Sequence, residues 1–334
     1  MRKLASIRKI KQVLPIENAD LLELAIVDGW KIVIKKGEYL AGDYCIYCEI
    51  DSLLPIKDEY EFLRKSSYVK FPDGTDGFRI KTIRLRGQVS QGLILPISSL
   101  PENTSIEEGL DVTEIMGIVK YEQPIHASLS GLVKGGFPSF LRKTDEERIQ
   151  NLVNDYQNWL TENKDFYATE KMDGSSATFY YNDNVFGVCS RNLELLENDG
   201  NTFWDIAKSL DLKNKLSSLN RNICIQGELI GPGVNKNIYN LKKHNVLFFN
   251  AFDIDTQNKL PLSEFIELIE SLGLETVPIF HNFELPSSID ELLVISDGKS
   301  IINSNVDREG IVIRSYDMDI SFKVISNKFL LNEK

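Results

Sequence analysis

The first third of the chain consists of short apolar runs that are separated by turn residues. Two β-rich runs within residues 22–36 flank Asp28 and Gly29, and an Asp-Gly pair is typical of a two-residue hairpin turn. A third run, residues 44–50, follows another glycine-containing turn. Because several short strands at this spacing are typical of a small closed barrel, the pattern predicts a β-barrel over residues 1–125.

The pattern changes near residue 144, where helical spacing begins. Thr144 and Glu147 match a capping box. Apolar residues then recur at helical spacing from Ile149 to Leu160, which predicts one helix across this segment. Further helices are predicted over residues 202–219 and 263–272, and from a second capping box at Ser288 and Glu291.

Strand-like runs typical of antiparallel sheets alternate with these helices. Together they predict a second domain of mixed sheets and helices over residues 144–334. The intervening residues 126–143 show no clear period and are predicted to be a linker. The expected fold class is therefore α+β, with a β-barrel, a linker and a domain of antiparallel sheets and helices.

The composition is that of an ordinary globular protein. The 334 residues are 42% hydrophobic and 26% charged, a balance that supports a sizeable core and two domains. No run approaches 18 apolar residues, so we expect no membrane span. Four scattered cysteines do not make a disulfide framework, which favours the cytoplasm or another reducing intracellular compartment.

Cys45 and Cys48 have the C-x-x-C spacing of redox and zinc sites. They lie, however, within a strand-like run, where positions three apart point to opposite faces of a sheet. Two such side chains cannot bind one metal ion, so we interpret both residues as buried structural cysteines.

Residues 78–86 carry four cations in a strand-like segment. The apolar positions change parity within it, and a β-bulge near Lys81 would restore a single buried face. The same bulge would align Arg79, Lys81, Arg84 and Arg86 on the other face. Such a stripe suits a nucleic-acid phosphate backbone, and the alternative is a solvated edge strand that is protected by its charge.

Lys171, Asp173 and Gly174 form the pattern K-x-D-G between two apolar runs. A lysine acts as a nucleophile only as the neutral amine, and its ordinary pKa lies near 10.4. The acids Glu170 and Asp173 would raise that pKa, so a nucleophilic Lys171 requires a divalent cation among them. The alternative is a solvated Lys-Asp pair in a hairpin turn, and the pattern by itself favours that alternative.

Lys171 belongs to a series of motifs in a fixed order. They are K-M-D-G at 171–174, S-R-N at 190–192, G-E-L at 227–229, F-D-I at 252–254, E-G-I-V-I at 309–313 and F-K at 322–323. This order resembles that of the covalent nucleotidyltransferases, which comprise ATP-dependent ligases and mRNA capping enzymes. The sequences FPSFLRKTDEER and GELIGPGVNKNIY are similar to those of the second type of RNA ligase, and RLRGxxSQGL near the N-terminus resembles the Deinococcus and Naegleria kind, which carry an N-terminal OB module.

The resemblance implies an OB-fold module over residues 1–125 and a nucleotidyltransferase domain over residues 144–334. Lys171 would take AMP from ATP, pass it to an RNA 5′-phosphate, and a 3′-hydroxyl would then displace it. Asp173, Glu228 and Glu309 would bind Mg²⁺ or Mn²⁺, although Asp173 and one glutamate are alternatively ribose ligands. Lys323 would contact phosphates.

The resemblance also implies a binding site for the nucleotide. Phe252 would form an aromatic shelf under adenine with Asp253 beside it, Glu170 would lie at the adenine edge, and Arg191 would contact the phosphates. The chain departs from the family pattern after Lys323, because relatives often have K-x-K there and this chain has Ile325. Lys328 is the later lysine that could take over this contact.

The expected partner is RNA with 3′-hydroxyl and 5′-phosphate ends, with or without a bridging complementary strand, bound by a monomer. Contacts are predicted at the stripe, at residues 134–143 and at Lys242-Lys243, with modest affinity because the net charge is −11. Alternatives are a DNA ligase or guanylyltransferase, against which the 11 residues after Lys323 argue, and a non-catalytic RNA-binding protein derived from a ligase.

Overall fold

The computed structural model describes residues 3–71, 74–121, 131–162 and 164–332, and it divides into two compact units after Ile125. Gln150–Val153 and the chain from Leu330 group with the first unit. Each unit has buried apolar clusters of its own. No helix in the described part of the chain has the length and apolar character needed to cross a membrane.

The first unit is made of curled antiparallel sheets, which confirms the predicted barrel. A five-stranded sheet has the order β10-β4-β1-β2-β3, a four-stranded sheet has the order β11-β5-β7-β6, and β8 pairs with β9. The strands are β1 (Ala5–Pro15), β2 (Leu22–Val27), β3 (Trp30–Lys35), β4 (Tyr44–Cys48), β5 (Ser52–Leu54), β6 (Tyr68–Lys70), β7 (Asp76–Arg79), β8 (Ile83–Leu85), β9 (Gln88–Ser90), β10 (Leu93–Pro96) and β11 (Val119–Lys120), and helix α1 spans Arg64–Ser67.

Two local predictions for this unit are confirmed. Strands β2 and β3 form a hairpin in which Val27 pairs with Trp30, and Asp28 takes the left-handed conformation that the two-residue turn requires (φ 51°). Cys45 and Cys48 are fully buried on β4, and they pack into two different apolar clusters. Their side chains therefore lie on opposite faces and do not share a ligand.

The predicted cation stripe is wrong in its geometry. Arg79 ends β7 in the four-stranded sheet, whereas Arg84 lies in the separate β8-β9 hairpin. The Arg79 guanidinium is 2.9 Å from Asp51 and stacks 4.1 Å from the centre of the Tyr121 ring. Arg79 is thus engaged inside the fold, and Lys81, Arg84 and Arg86 remain exposed.

The second unit contains a six-stranded sheet of order β12-β17-β16-β15-β18-β19 and a five-stranded sheet of order β13-β22-β21-β14-β20. Its strands are β12 (Val133–Gly136), β13 (Glu147–Arg148), β14 (Phe166–Lys171), β15 (Ser175–Asn182), β16 (Val185–Cys189), β17 (Leu193–Leu195), β18 (Ile223–Ile230), β19 (Asn245–Asp253), β20 (Ile279–Phe283), β21 (Gly310–Ser315) and β22 (Ser321–Ile325). Its helices are α2 (Val153–Glu162), α3 (Thr202–Ser209), α4 (Leu212–Ser217), α5 (Leu262–Ser271), α6 (Ile289–Ser296) and α7 (Asn327–Asn332).

Helices α3, α4 and α5 cover one face of the six-stranded sheet. Trp204, Leu212 and Phe265 from these helices share an apolar cluster with Phe179 of β15 and Phe248 of β19. The helices do not cover the opposite face of the sheet, and Glu228, near the end of β18, points to that face. The α+β class is confirmed by these mixed sheets and helices.

The structure corrects three predictions for residues 126–219. Part of the predicted linker, 126–130, lies outside the described residues, and Val133–Gly136 forms a strand that pairs with β17. Thr144 and Glu147 do not cap a helix, because Glu147–Arg148 pairs in parallel with Phe322–Lys323 and the helix begins at Val153. The predicted helix 202–219 is interrupted by Asp211, whose φ is 54°, and forms α3 and α4.

The second capping box is confirmed. The Ser288 side chain accepts a hydrogen bond of 3.2 Å from the backbone N–H of Glu291 at the start of α6. Local geometry alone fixes this cap, which is why the sequence was sufficient to predict it.

Candidate active site

The Lys171–Gly174 turn connects the two sheets of the second unit. Lys171 ends β14, where it pairs with Gly310, and β15 begins at Ser175, which pairs with Leu229. A Cβ atom on Gly174 would lie 2.3 Å from the carbonyl oxygen of Leu229. The K-x-D-G pattern therefore needs glycine because the backbone of β18 approaches closely.

The Lys171 ammonium is half-buried and ion-paired. Its Nζ lies 2.8 Å from Oε1 of Glu309, the residue just before β21. Burial alone would lower the pKa of Lys171, but the carboxylates of Glu309, Glu228 and Asp173 outweigh burial and hold this pKa above its ordinary value. In this arrangement Lys171 is protonated at neutral pH and is not yet a nucleophile.

The two glutamates beside Lys171 have raised pKa values. Burial raises the pKa of Glu228 to about 8, with further contributions from Glu309 and Asp173 that Lys171 opposes. Burial likewise raises the pKa of Glu309, against the lowering effect of Lys171 and Lys323. Both carboxyl groups are half-buried, and a cation bound between them would stabilise their ionised forms.

The carboxylates fit a divalent metal that has only a few protein ligands. No three His, Cys, Asp or Glu side chains within residues 3–71, 74–121, 131–162 and 164–332 form a complete ligand cluster. Mg²⁺ is usually held by one or two carboxylates, with water and phosphate oxygens completing its shell. A cation bound between Glu228 and Glu309 would oppose the effect of burial that raises the pKa of each.

Two further cations lie on the sheet face that carries Lys171. Lys323 pairs with Val312, and Val312 pairs in turn with Thr169, two residues before Lys171. Because side chains alternate along a strand, Lys323 and Lys171 point to the same side. Arg148, which pairs with Lys323 in parallel, joins them. Sequence reasoning missed Arg148 because it placed this residue in a helix.

Asp173 is held by a loop that the sequence assigned no role. The Asn235 side-chain amide donates hydrogen bonds to Asp173 Oδ1 (2.7 Å) and to the carbonyl of Gly174 (2.8 Å). The backbone N–H of Asp173 donates to the Tyr239 hydroxyl at 2.7 Å. Both residues belong to the sequence GPGVNKNIY, so the resemblance marked the segment although it did not mark these contacts.

The Phe252 ring, which the sequence predicts as the adenine shelf, is enclosed in the fold. The Phe252 side chain is fully buried, and Phe137, Phe140 and Leu141 pack in the same cluster. A ring enclosed in this way cannot stack on a nucleotide without repacking. Phe249 is different, because it is only partly buried.

Phe249 occupies a bulge in β19. Gln226 pairs with Asn250, and the next pair joins Gly227 to Phe248, so Phe249 has no partner on β18. It packs instead against the cluster that contains Met172 and Tyr239. The three phenylalanines of FFNAF are equivalent in sequence, and only the position of the bulge separates them.

Asp253 lies at the other end of the sheet from Glu228. It pairs with Ile223, five residues from Glu228 along β18, which is roughly 17 Å. Its carboxylate accepts hydrogen bonds from the backbone N–H and the hydroxyl of Thr256, and the first of these lowers the pKa of Asp253. We therefore interpret Asp253 as a turn cap, and its place beside the nucleotide stays a prediction.

Glu170 and Arg191 have contacts of their own. Glu170 is buried and accepts a hydrogen bond of 2.8 Å from the backbone N–H of Ile301, and its place at the adenine edge stays a prediction. Arg191 follows β16 at the end of the sheet that carries Glu228, and its exposed guanidinium lies 2.6 Å from Asp145. It is thus placed at the rim of the site.

The chain's departure from K-x-K has a structural basis. Ile325 is buried and pairs with Gly310, so a lysine there would be enclosed. Lys328 is exposed, and its Nζ lies 3.8 Å from Asp297. This lysine does not replace the missing cation next to Lys323 in this arrangement.

Comparison with known proteins adds to this geometry. Family models for an OB-fold domain and for RNA ligase match residues 4–97 and 164–325 respectively. A search of curated proteins gave no match. A mutant of Naegleria gruberi RNA ligase without ligand is 41% identical, with a TM-score of 0.93 over 99% of this chain and 98% of the other.

Two ligand complexes of the same Naegleria gruberi enzyme are equally similar. The complex with pyrophosphate is 42% identical, with a TM-score of 0.92 over 100% of this chain and 99% of the other. A mutant with ATP and manganese is 42% identical, with a TM-score of 0.92 over 98% of each chain.

Proposed function

Because this chain belongs to the RNA ligase family, we propose that it uses ATP to join RNA 3′-hydroxyl and 5′-phosphate ends through AMP bound covalently to Lys171. The observation that carries this proposal is the placement of Lys171. Its amine is half-buried at the turn that connects two sheets. It lies 2.8 Å from Glu309, and Lys323 is on the same sheet face. A reactive amine between carboxylates and cations suits transfer of a nucleotidyl group.

The reaction has three phosphoryl transfers. In the first, Lys171 loses a proton, its Nζ forms a bond to the α-phosphorus of ATP, and the bond to the pyrophosphate leaving group breaks. In the second, an oxygen of the RNA 5′-phosphate attacks the same phosphorus, and the lysine nitrogen leaves and regains a proton. In the third, the RNA 3′-hydroxyl attacks the 5′-phosphorus, a phosphodiester forms, and AMP departs.

Asp173, Glu228 and Glu309 would hold Mg²⁺ or Mn²⁺, with ribose binding as the second possible task of Asp173 and one glutamate. A divalent cation bound there would offset the charge of the carboxylates, lower the pKa of Lys171 and polarise a phosphate oxygen. Lys323 supplies a fixed positive charge on the Lys171 face, and Arg148 adds a second. Arg191 would exchange Asp145 for a phosphate at the rim.

The proposed substrate is an RNA break in which the two ends are held close together. A complementary bridging strand would do this, although a folded RNA would do it equally well. All of the proposed catalytic groups come from a single chain, which is why we propose a monomer. The four cysteines are free and buried, and burial raises the pKa values of Cys45 and Cys48 to about 12, as fits a reducing intracellular compartment such as the cytoplasm.

A non-catalytic RNA-binding protein is the poorer alternative. Such a protein has no need to keep Lys171 against Glu309 and beside a half-buried Glu228, because removing charged groups from water costs free energy. A guanylyltransferase is tested by offering GTP in place of ATP. We expect ATP to be the substrate.

The function is tested by following one labelled phosphate. The protein, stripped of bound AMP with pyrophosphate, is mixed with ATP labelled at the α-phosphate and with Mg²⁺ or Mn²⁺, and is then denatured. We expect acid-labile label on the chain, none in the presence of EDTA, and transfer of the label to 5′-phosphate RNA when nicked RNA is added. Absence of label with both metals would overturn the proposed function.

Phe249 is the residue that we propose for the aromatic contact with adenine. Its bulged position leaves it partly exposed beside Met172 and Tyr239, both of which adjoin the Lys171 turn. Phe252 serves as its natural comparison, since it lies on the same strand but is enclosed.

We expect Phe249→Leu to raise KM for ATP in lysine adenylylation by about tenfold, because base stacking on an aromatic side chain is worth roughly 1–3 kcal/mol. Phe252→Leu should lower the Tm and leave this KM unchanged, since the ring only fills the core. The measurement is the initial rate of labelling against ATP concentration for both variants. The opposite pattern, with KM changed only by Phe252→Leu, would restore Phe252 as the shelf.

A further inference from the structure

The segment between β18 and β19, Gly231–His244, follows a fixed path that we name the asparagine loop. Asn235, Asn237 and Asn240 all have φ between 43° and 54°, a conformation that asparagine tolerates better than most residues. Successive turns are closed by backbone hydrogen bonds of 2.9–3.1 Å from Val234 to Gly231, from Asn237 to Val234 and from Asn240 to Asn237. The loop is therefore ordered by its own hydrogen bonds.

The asparagine loop is bonded directly to the catalytic turn. Asn235 donates to the Asp173 carboxylate and to the Gly174 carbonyl, and the buried Tyr239 hydroxyl accepts the Asp173 N–H. A third contact, from the Asn303 amide to the carbonyl of Ile238 at 3.3 Å, holds the other side of the loop. Any group that the loop carries therefore has a defined position next to Lys171.

The exposed side of the asparagine loop carries Lys236, Lys242 and Lys243. None of these three ammonium groups forms an ion pair within the residues that the structure describes, and the Lys242 ammonium has a 3.5 Å contact with the Asn240 side chain. The chain as a whole has a net charge of −11. The three lysines of the asparagine loop therefore form a positive surface on an acidic protein. Because no direct ion pair neutralises them in the described part of the chain, these ammonium groups can attract a polyanion.

We propose that the asparagine loop binds the RNA phosphodiester backbone beside the break, through Lys236, Lys242 and Lys243. This inference rests on the proposed function and extends it by naming the surface that receives the RNA. In the proposed function, the phosphates of ATP are bound by other cations, Lys323 and Arg148, which lie on the sheet face that carries Lys171. The loop lysines lie outside that face and remain exposed, as a surface that takes a long polyanion must be.

The test compares two sets of lysine-to-glutamine changes. The loop variant is Lys236→Gln with Lys242→Gln and Lys243→Gln. The control, which removes two charges where the loop variant removes three, is Lys213→Gln with Lys215→Gln on α4, whose Leu212 and Leu216 pack on the sheet face opposite to Glu228. Each protein is assayed for lysine adenylylation with labelled ATP and for sealing of nicked RNA between 50 and about 200 mM salt, the range over which the binding of proteins to phosphates weakens strongly.

We expect the loop variant to raise KM for nicked RNA about tenfold and to reduce the slope of log KM against log salt by about 0.7–0.9 for each RNA phosphate that is no longer neutralised. Its adenylylation should stay within twofold of wild type, and the control should match wild type in both assays. An unchanged KM and salt slope would overturn the proposal, and so would a loss of adenylylation equal to the loss of sealing. If wild type itself takes no AMP, the proposed function fails, and binding of labelled nicked RNA by the same variants still tests the loop.

Discussion

Lys171→Ala is expected to remove all detectable AMP from the chain after incubation with ATP labelled at the α-phosphate. The Lys171 nitrogen is the atom that forms the bond to phosphorus, so its removal abolishes the step, with a loss on the order of 10⁴-fold or more. Lys323 shares the sheet face but lies two strands away from Lys171, and it is not expected to substitute. The measurement is acid-labile label on the denatured protein, beside wild type stripped with pyrophosphate.

Lys171→Arg is the variant that separates chemistry from folding. Arginine keeps the positive charge that pairs with Glu309 but does not give up a proton near neutral pH. It should therefore keep the wild-type Tm and take no AMP. Lys164→Ala, which removes an ammonium 3.3 Å from Asp317 in the same unit, should be labelled like wild type. Label of wild-type intensity on Lys171→Arg would place the AMP on another residue.

Both Lys171 variants should still seal RNA that already carries AMP on its 5′ end. In that step the attacking group is the RNA 3′-hydroxyl, and Lys171 forms no bond. Retained sealing would also prove that the variants are folded. Complete loss of sealing with this substrate would contradict the division of labour proposed for Lys171.

Several local features were predicted correctly from short stretches of sequence. The Asp28-Gly29 pair specifies a turn with left-handed φ, and alternation along β4 separates Cys45 from Cys48. The helix cap at Ser288, in the second unit, was also predictable from local sequence, since its partner Glu291 is three residues away. In each case the deciding contact is local, so no knowledge of the rest of the fold was required.

Contacts between distant segments decided the cases in which the sequence misled. Thr144 and Glu147 match a capping box, yet Glu147–Arg148 pairs with Phe322–Lys323, which lie much later in the chain. The strand pairing is more stable than the local helix cap would be. It could not be predicted from the sequence near residue 147, because its partner strand lies about 175 residues later. The cation stripe failed for a related reason, because the segment after Arg79 leaves one sheet and enters another.

Within the candidate site, the motifs name charged residues that the fold brings close to Lys171, and the roles of these residues stay predictions. Lys171 ends β14 and Glu309 precedes β21, its neighbour in the sheet, whereas Glu228 lies near the end of β18 and Lys323 in the middle of β22. The sequence names Phe252 through its F-D-I motif, and it cannot show that Phe249 is the residue of FFNAF that forms the bulge. Asn235 and Tyr239 were missed since their partners are polar groups of the turn, about 60 residues earlier.

Gly174→Ala is expected to impair adenylylation far more than it impairs folding. The added Cβ would lie 2.3 Å from the Leu229 carbonyl oxygen and 2.8 Å from Cγ of Glu228. Overpacking of this kind costs about 1–3 kcal/mol of unfolding free energy. We expect the turn to move away from β18, which would displace Asp173 and Lys171 from Glu228. A displacement of about 1 Å costs roughly a hundredfold in rate.

The control for Gly174→Ala is Gly135→Ala on β12, where an added Cβ would meet nothing within 4 Å. Gly135→Ala should keep the wild-type Tm and labelling rate. For Gly174→Ala we expect a folded protein with a modestly lowered Tm and single-turnover labelling slowed about a hundredfold. Equal labelling rates in the two variants would mean that the turn adjusts without moving Lys171, and the geometry of the K-x-D-G turn would then not set the reactivity of the lysine.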